Sequence, residues 1–466
     1  MVHLLHFHYK YMKNIKSISI VFSFFLAFSA QAQTKQWTLE ECVKYAIDNN
    51  ISIKLSELDT QTAEINRKDA FGNFLPSVNG NASHSWNIGL NVNPVTNIAA
   101  TKTTQYSSMG AGVGINIYKG LQNQNTLRRQ KLAVLASQYQ LTKMQEDVAL
   151  NVANAFLQVL FNKQNLKVQE QQLAINQKQY DRSDAMVNAG TIPRGDLLDV
   201  KATVASDKQN VINAENTLLI SKLSLSQLLQ LKEFADFDVA DEDTFQDKNN
   251  ILAQTASEVY VKAKETRTEL KIAQTNLQIA EKNVAISKGA YQPTLQGFYN
   301  INTRISYADM AAFNPDGTIV SVGAPPFWDQ FADNRGQAFG AQLSIPIFNG
   351  LSVRNNVERS KVDLERSKID LEQKELDLQR NVFTAFTDAK GALNAHESAI
   401  VALEARQEAF NYAKEKYEVG LMNSFDFSQS QTLFTNAQSE VLRTKYDYIF
   451  KIKILEFYFG IPIIQN

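Results

Sequence analysis

The chain has 466 residues, with 47 Lys and Arg against 48 Asp and Glu, for a formal net charge of −1. This length can bury a sizeable core, and the balanced charge leaves no electrostatic footprint for nucleic acid. A single cysteine, Cys42, excludes a disulfide framework within the chain and any cysteine-based metal cluster.

The N-terminal segment reads as an export signal. From Met12 it runs MKNIKSISIVFSFFLAFSAQAQ: a basic start at Lys13 and Lys16, an apolar run from Ile18 to Phe28, then the small-x-small site Ala30-Gln31-Ala32. Residues 1–32 are therefore expected to be a signal peptide, with translation starting at Met12. No later stretch offers about 18 consecutive apolar residues, so no membrane-spanning helix is expected. A β-barrel, whose hydropathy signal is far weaker, stays open.

After the signal the chain is written twice. FLPSVNG (74–80) matches YQPTLQG (291–297), placing Pro76 and Pro293 217 residues apart. INIYKGL (115–121) matches IPIFNGL (345–351) at an offset of 230, which also separates Gly190 from Gly420 and Asp196 from Asp426. The 13-residue difference locates one insertion between each Pro and the following Gly. The first repeat, 33–230, is predicted to hold a helix over 39–72, strands 77–90 and 108–118, a long helix 121–187 and a returning helix 196–230. An acidic, irregular linker, 231–255, follows. The second repeat, 256–466, is predicted to hold a helix over 256–289, strands 294–306 and 337–348, a long helix 351–418 and a returning helix 426–459. Pro76 and Pro293 mark the helix-to-strand transitions, and Gly120 and Gly350 mark the strand-to-helix transitions.

A helix of some 67 residues is about 100 Å long at 1.5 Å per residue, longer than a globular core needs. Val357, Leu364, Leu371 and Leu378 form one heptad row, and Val362, Ile369, Leu376 and Phe383 a second. Leu127, Val134, Leu141 and Val148 form the first row's counterpart in the first repeat. Seven-residue spacing signals coiled-coil packing. The two rows lie about 200° apart around the helix, so each helix has a neighbour on both sides. Helices packed that way build a wall, and a wall that closes is a tube. The charges between the rows, such as Glu358, Arg359 and Asp363, disfavour a fully buried bundle helix.

The strands alternate. Along 78–93 the even positions read Val, Gly, Ala, His, Trp, Ile, Leu, Val, and the odd ones are small or polar. Met109, Ala111, Val113, Ile115 and Ile117 alternate with Gly and Asn; Phe339, Ala341, Leu343, Ile345 and Ile347 form a third such row. One apolar and one small, polar face is the pattern of a membrane-barrel strand, with the edge of a soluble sandwich as the alternative. His84 falls on the predicted lipid face, where an imidazole is out of place except near an interface. Four strands cannot close a barrel, since outer-membrane barrels start at about eight. Copies must therefore associate, with the longer loops, 91–107 and 307–336, facing outside the cell.

Together these features resemble the TolC-type outer-membrane efflux protein family, the outer membrane factors of tripartite efflux and type I secretion systems. The resemblance rests on the doubled architecture, on Pro at each helix-to-strand transition, on IPIFNG entering the long helix and on G-x5-D at both turns. It implies a mainly α chain that adds four strands to a twelve-stranded barrel in a homotrimer, continued by an α-helical tunnel through the periplasm. It also implies an outer-membrane location in contact with lipid, and passive conduction from a periplasmic adaptor (a membrane fusion protein) and an inner-membrane pump. By the same resemblance Gly190 and Gly420 reverse the chain at the tunnel tip. Thr191 and Leu421 lie on the adaptor-docking surface, and Asp196, Asp199 and Asp426 form the periplasmic gate. The family's second acidic ring corresponds to Gln429 here, a departure from the family's pattern, whereas the first repeat has both Asp196 and Asp199. Each Asp also fits a plainer role, an acid favoured at a helix N-terminus.

No enzyme, cofactor or metal site is expected. His84 and His396 are the only histidines after the signal, and no P-loop, zinc-spaced cluster or nucleophile elbow is present. The stronger rival is a periplasmic coiled-coil scaffold, which explains export and rods but leaves the alternating strands unexplained.

Overall fold

The structure, a computed structural model, describes residues 35–92, 97–234, 236–241 and 250–463. The expected signal peptide and Met12 start lie outside the described residues. In chain order the elements are β1 (Gln36–Trp37), α1 (Leu39–Asn49), α2 (Ile51–Gly72), β2 (Ser77–Val92), β3 (Ala99–Lys119), α3 (Gln122–Asn188) and α4 (Arg194–Leu229). There follow β4 (Asp238–Val239), a 3-10 turn (Ile251–Ala253), α5 (Ala256–Thr266), α6 (Thr268–Gly289), β5 (Thr294–Ser306), β6 (Met310–Phe313), β7 (Ile319–Val322), α7 (Phe327–Asp333), β8 (Gly336–Ser344), α8 (Ser352–Glu418) and α9 (Ser424–Phe459). α3 and α8 have 67 residues each, and α4 and α9 have 36 each.

Each half opens on a capping box. The Glu41 N–H donates to Thr38 Oγ1 at 3.2 Å and the Thr38 N–H to Glu41 Oε2 at 3.1 Å; Thr255 and Glu258 repeat the exchange. Two orphan donors are thereby satisfied at each helix start. The helices expected over 39–72 and 256–289 are in fact broken, at Asn50 and Arg267. There the backbone turns extended, with ψ of 129° and 128°. The breaks have side-chain causes that no Gly or Pro announces. The Asn50 amide donates to the Leu228 carbonyl at 3.3 Å, and buried Arg267 pairs with Glu269 at 3.1 Å.

The main sheet is antiparallel with strand order β2-β3-β5-β8, so β2 and β8 are its free edges. Register places Ala82 opposite Met109, which lies opposite Thr303; Ala111 likewise pairs with Gly80 and Ile301. The even positions of β2 and the odd positions of β3, β5 and β8 therefore share one face. That face carries the exposed Val78, Ile88, Leu90, Ile115, Phe339 and Leu343.

Two sequence expectations need correction here. β3 begins at Ala99, not 108, because β-branched Thr101, Thr103 and Thr104 continue the ladder with β2. Only 93–98 therefore separates these strands. β8 stops at Ser344, not 348, where Pro346 could donate no ladder hydrogen bond. The loop 307–336 holds the β6–β7 hairpin and α7. Within the linker, β4 pairs in parallel with β1 from the start of the first repeat. Lys163 and Lys222 hold Asp238 at 3.1 and 2.9 Å.

The described residues form two compact units. One comprises those of Met1–Ile51, Gln145–Val259 and Val382–Asn466; the other comprises those of Ser52–Met144 and Tyr260–Asn381. The first buries Val43, Phe156, Leu160, Leu225, Leu229 and Leu455, and the second Leu270, Val284, Val357 and Leu378. Each such side chain contributes roughly 1.5–3 kcal/mol when fully removed from water. The second heptad row behaves differently. Val362, Ile369 and Leu376 of α8 are 54%, 65% and 54% exposed, and Ile51, Leu58 and Ile65 form an exposed row at the same spacing on α2.

Candidate functional site

The site lies at the two helix-to-helix turns, both within the first unit. A glycine is required at each. Gly190 has φ +72° and Gly420 φ +76°, the left-handed region that side chains resist. The Gly190 N–H donates to the Val187 carbonyl at 2.9 Å and the Thr191 N–H to the Met186 carbonyl at 2.9 Å. Gly420 donates to Tyr417 at 3.1 Å and Leu421 to Lys416 at 2.8 Å. This is the Schellman pattern, which satisfies the last carbonyls of α3 and α8. Thr191 and Leu421, the next residues, are exposed, Leu421 at 79%.

The returning helices start differently. α9 has Asn423 as N-cap. Its side-chain oxygen accepts from the Asp426 N–H at 2.8 Å, and its amide donates to Asp426 Oδ2 at 3.0 Å. α4 has Pro193 in that place and no side-chain cap. Asp196 is half-buried, Asp199 and Asp426 are exposed, and so is Gln429. Thus Asp426 does hold the plainer cap role, yet its carboxylate stays open to solvent. A cleft of about 450 Å³ joins the two turns; Asp196, Ile192, Gly420, Leu421 and Asn423 line it. Of the expected residues the cleft brings together Asp196, Gly420 and Leu421, while Gly190, Thr191, Asp199 and Asp426 do not line it.

Sequence reasoning missed what braces the turns. Phe410, Phe427 and Phe434 cluster with Ala413 against Tyr417 and Met422. Phe410 stacks on Phe434 at 5.2 Å and Tyr417 on Phe427 at 4.6 Å. The equivalent residues 230 earlier are Tyr180, Val204, Val187 and Leu197, so the aromatic core exists in one turn only. A second missed feature is a polar seam between α3 and its neighbours. Asn165 bonds Ser439 at 3.0 Å, Gln172 bonds Thr435 at 2.6 Å, and Gln179 bonds Tyr417 at 2.6 Å. Asn165, Gln172 and Gln179 sit at heptad spacing, the signal that could have revealed the seam. Asn176 donates to Asp207, whose pKa burial raises against that hydrogen bond. Gln431 is buried in α9 with neither amide atom bonded to protein.

At the helix–strand transitions, Pro76 and Pro293 directly precede β2 and β5. Gly120 and Gly350 have φ +55° and +61°. A Cβ on Gly120 would meet the Gly289 carbonyl oxygen at 2.1 Å, so that position needs glycine for space as well.

The remaining chemistry-bearing groups are dispersed. His84 accepts or donates a bond with Ser107 Oγ at 2.8 Å and meets Trp86 edge-on at 4.2 Å. His396 bonds Thr444 and stacks on Tyr448; burial and Lys445 lower its pKa. Burial pushes the Cys42 thiol up to about 12, far from a reactive thiolate. Among the described residues no three His, Cys, Asp or Glu side chains cluster as a metal site.

The chain thus combines an open sheet with one apolar face, two very long helices and tight glycine turns. The chain belongs to the outer membrane efflux protein family, which it matches over residues 43–230 and 259–453. It is accordingly a protein of the outer membrane, extending into the periplasm. Among curated proteins no sequence match was found. Several solved structures share the fold. One is CusC, at 17% identity and TM-score 0.75 over 92% of this chain and 95% of that one. The CmeC outer membrane channel of Campylobacter jejuni has 18% identity and TM-score 0.71 over 91% and 85%. The outer membrane protein VceC of Vibrio cholerae has 13% identity and TM-score 0.70 over 91% and 96%.

Proposed function

We propose that the chain forms, as a homotrimer, the exit duct of a tripartite efflux or type I secretion system. It conducts substrates passively from a periplasmic adaptor and inner-membrane pump across the outer membrane, with no catalysis of its own. The observation that carries this reading is the pair of unfinished edges. β2 and β8 end the sheet, and in lipid an unpaired strand edge is too costly to persist. α2 and α8, next in sequence to those strands, carry the exposed apolar heptad rows. Joining β8 of one copy to β2 of the next, and α8 to α2, removes both defects at once. Three copies give twelve strands, enough for closure.

The repeats 33–230 and 256–466 then supply equivalent walls, with 231–255 as an equatorial linker and 1–32 as the export signal. The tips at Gly190–Thr191 and Gly420–Leu421 offer the adaptor-docking surface. Copies of Asp196, Asp199 and Asp426 gathered about one axis repel each other and attract cations, which makes a charge-selective constriction. Native mass spectrometry of the detergent-extracted protein tests the assembly. Wild type is expected as a trimer, and Ile369→Asp, which puts a charge in the exposed row, as a monomer with its helices intact. A wild-type protein that stays monomeric would sink the reading.

A further inference from the structure

The apolar face of the sheet ends sharply on β3. From Ile117 to Met109 its residues on that face are Ile, Ile, Val, Ala and Met; beyond, they are Ser107, Gln105, Thr103 and Thr101. The apolar run covers eight residue steps, about 27 Å along the strand at 3.4 Å per residue. Allowing for strand tilt, that is close to the roughly 25 Å apolar band of outer-membrane barrels. Register sets His84, Ser107 and Ile305 side by side at this level, and on β2 the apolar face runs on past it through Trp86, Ile88 and Leu90. β2 and β3 run past this level, and β5 stops one residue later, at Ser306.

α7 sits at this boundary, on this face. Thr303, whose side chain lies on the apolar face beside Met109, donates through Oγ1 to the Phe331 carbonyl at 3.2 Å. Gln330, buried, takes the Ser306 N–H at 2.9 Å and returns its amide to the Ser306 carbonyl at 2.9 Å. Beneath it Ile305 is fully buried. A loop segment therefore folds back onto the side of the sheet where lipid belongs.

The sequence of this seven-residue helix, FWDQFAD, is sorted by direction. Phe327, Trp328 and Phe331 fall within an arc of about 100° and touch one another, with ring centroids 5.0–6.4 Å apart; Asp329 and Asp333 point the opposite way. Trp328 is 72% exposed. A large aromatic ring left bare by the chain, beside an apolar band and with acids turned away, has the chemistry of an interfacial anchor.

We propose that α7 is a membrane-surface anchor: Phe327 and Trp328 insert at the boundary between acyl chains and headgroups of the outer leaflet, while Asp329 and Asp333 face water. This rests on the outer-membrane placement of the sheet and extends it to a loop outside the strands. The occupant is lipid, because α7 packs on the same side of the sheet as the apolar rows of β2, β3 and β5, next to where the β3 row ends.

Two single-tryptophan variants, assembled in phosphatidylcholine vesicles with brominated acyl chains, separate this proposal from its premise. Trp37→Phe with Trp86→Phe leaves Trp328 as reporter; Trp37→Phe with Trp328→Phe leaves Trp86, on the bare apolar face of β2. The expected result is blue-shifted Trp328 emission that bromines near the headgroup quench more than bromines deep in the chain. Trp86 quenched while Trp328 emits red and is quenched only by aqueous iodide would overturn the anchor and keep the barrel. Blue-shifted Trp328 that neither quencher reaches would overturn it in favour of packing against a second copy. Trp86 unquenched by any brominated lipid would overturn the membrane sheet together with the anchor.

Discussion

The two helical turns share one backbone and differ in what holds them. Both reverse at a glycine with φ near +75° and both close with the same pair of hydrogen bonds. The second turn adds an aromatic core around Phe410 and Phe427 and a reciprocal Asn423–Asp426 cap. The first has Tyr180 in place of Phe410, aliphatic Leu197, Val204 and Val187 in the other places, and Pro193 at its cap. The second turn is thus a small rigid body. What ties α9 and the end of α8 to α3 is polar: Gln172 to Thr435, Asn165 to Ser439 and Gln179 to Tyr417. Such hydrogen bonds contribute only about 1 kcal/mol each, net, because water replaces them when they part. Inside each hairpin the packing resists change, whereas between hairpins the contacts can be exchanged for water. The gate proposed for these turns, opening without unfolding, needs this combination.

The largest expected effect comes from removing the aromatic core. Phe410→Ala should destabilise the second turn by about 3 kcal/mol, as large core truncations do. Tyr180→Ala, at the equivalent half-buried place, should cost about 1 kcal/mol, the ordinary point-mutant value. Limited proteolysis around 416–426 and 186–196 reads the two separately, and equal losses would erase the contrast. Next is the polar seam. Gln172→Ala strands the buried Thr435 hydroxyl and should cost about 1–3 kcal/mol, while Gln172→Leu with Thr435→Val should be near neutral in thermal unfolding. If the seam is the parting line, that double variant should also conduct less than wild type, since water no longer replaces the tie. Asn423→Ala should cost about 1 kcal/mol through loss of the cap. Hydrogen exchange in the first turn of α9 would report it.

The smallest effect is on pH dependence. Burial raises the pKa of Asp207, so the folded chain holds that proton more tightly than the unfolded one. Its contribution is complete below the ordinary carboxylate pKa and is lost as pH rises through the folded value. Asp207→Asn should flatten that slope in urea unfolding and leave the rest of the profile unchanged.

The same contrast explains what the sequence could reveal. The long helices were legible because heptad rows such as Val357–Leu364–Leu371–Leu378 repeat over many turns. The turns were legible because only glycine takes their φ. The breaks at Asn50 and Arg267 were not, since each depends on a distant partner or a buried ion pair. β3 was read too short because Thr101 to Thr104 hide a ladder behind a polar face. That polar face begins at the boundary where α7 lies. His84, out of place on a lipid face, sits at that boundary with Ser107 and Trp86 as neighbours. The two turns were visible as a place in the sequence, but the bracing behind them was not. Reading Phe410, Phe427 and Phe434 as one cluster requires knowing that they touch.

The most direct test of a duct constricted at these turns is single-channel conductance of the signal-cleaved protein in a planar bilayer. Wild type is compared with the Asp196→Ala, Asp426→Ala double variant. The expected result is a small, cation-selective wild-type conductance that rises and loses selectivity in the variant. Correctly folded protein that opens no pore in either form would contradict the account.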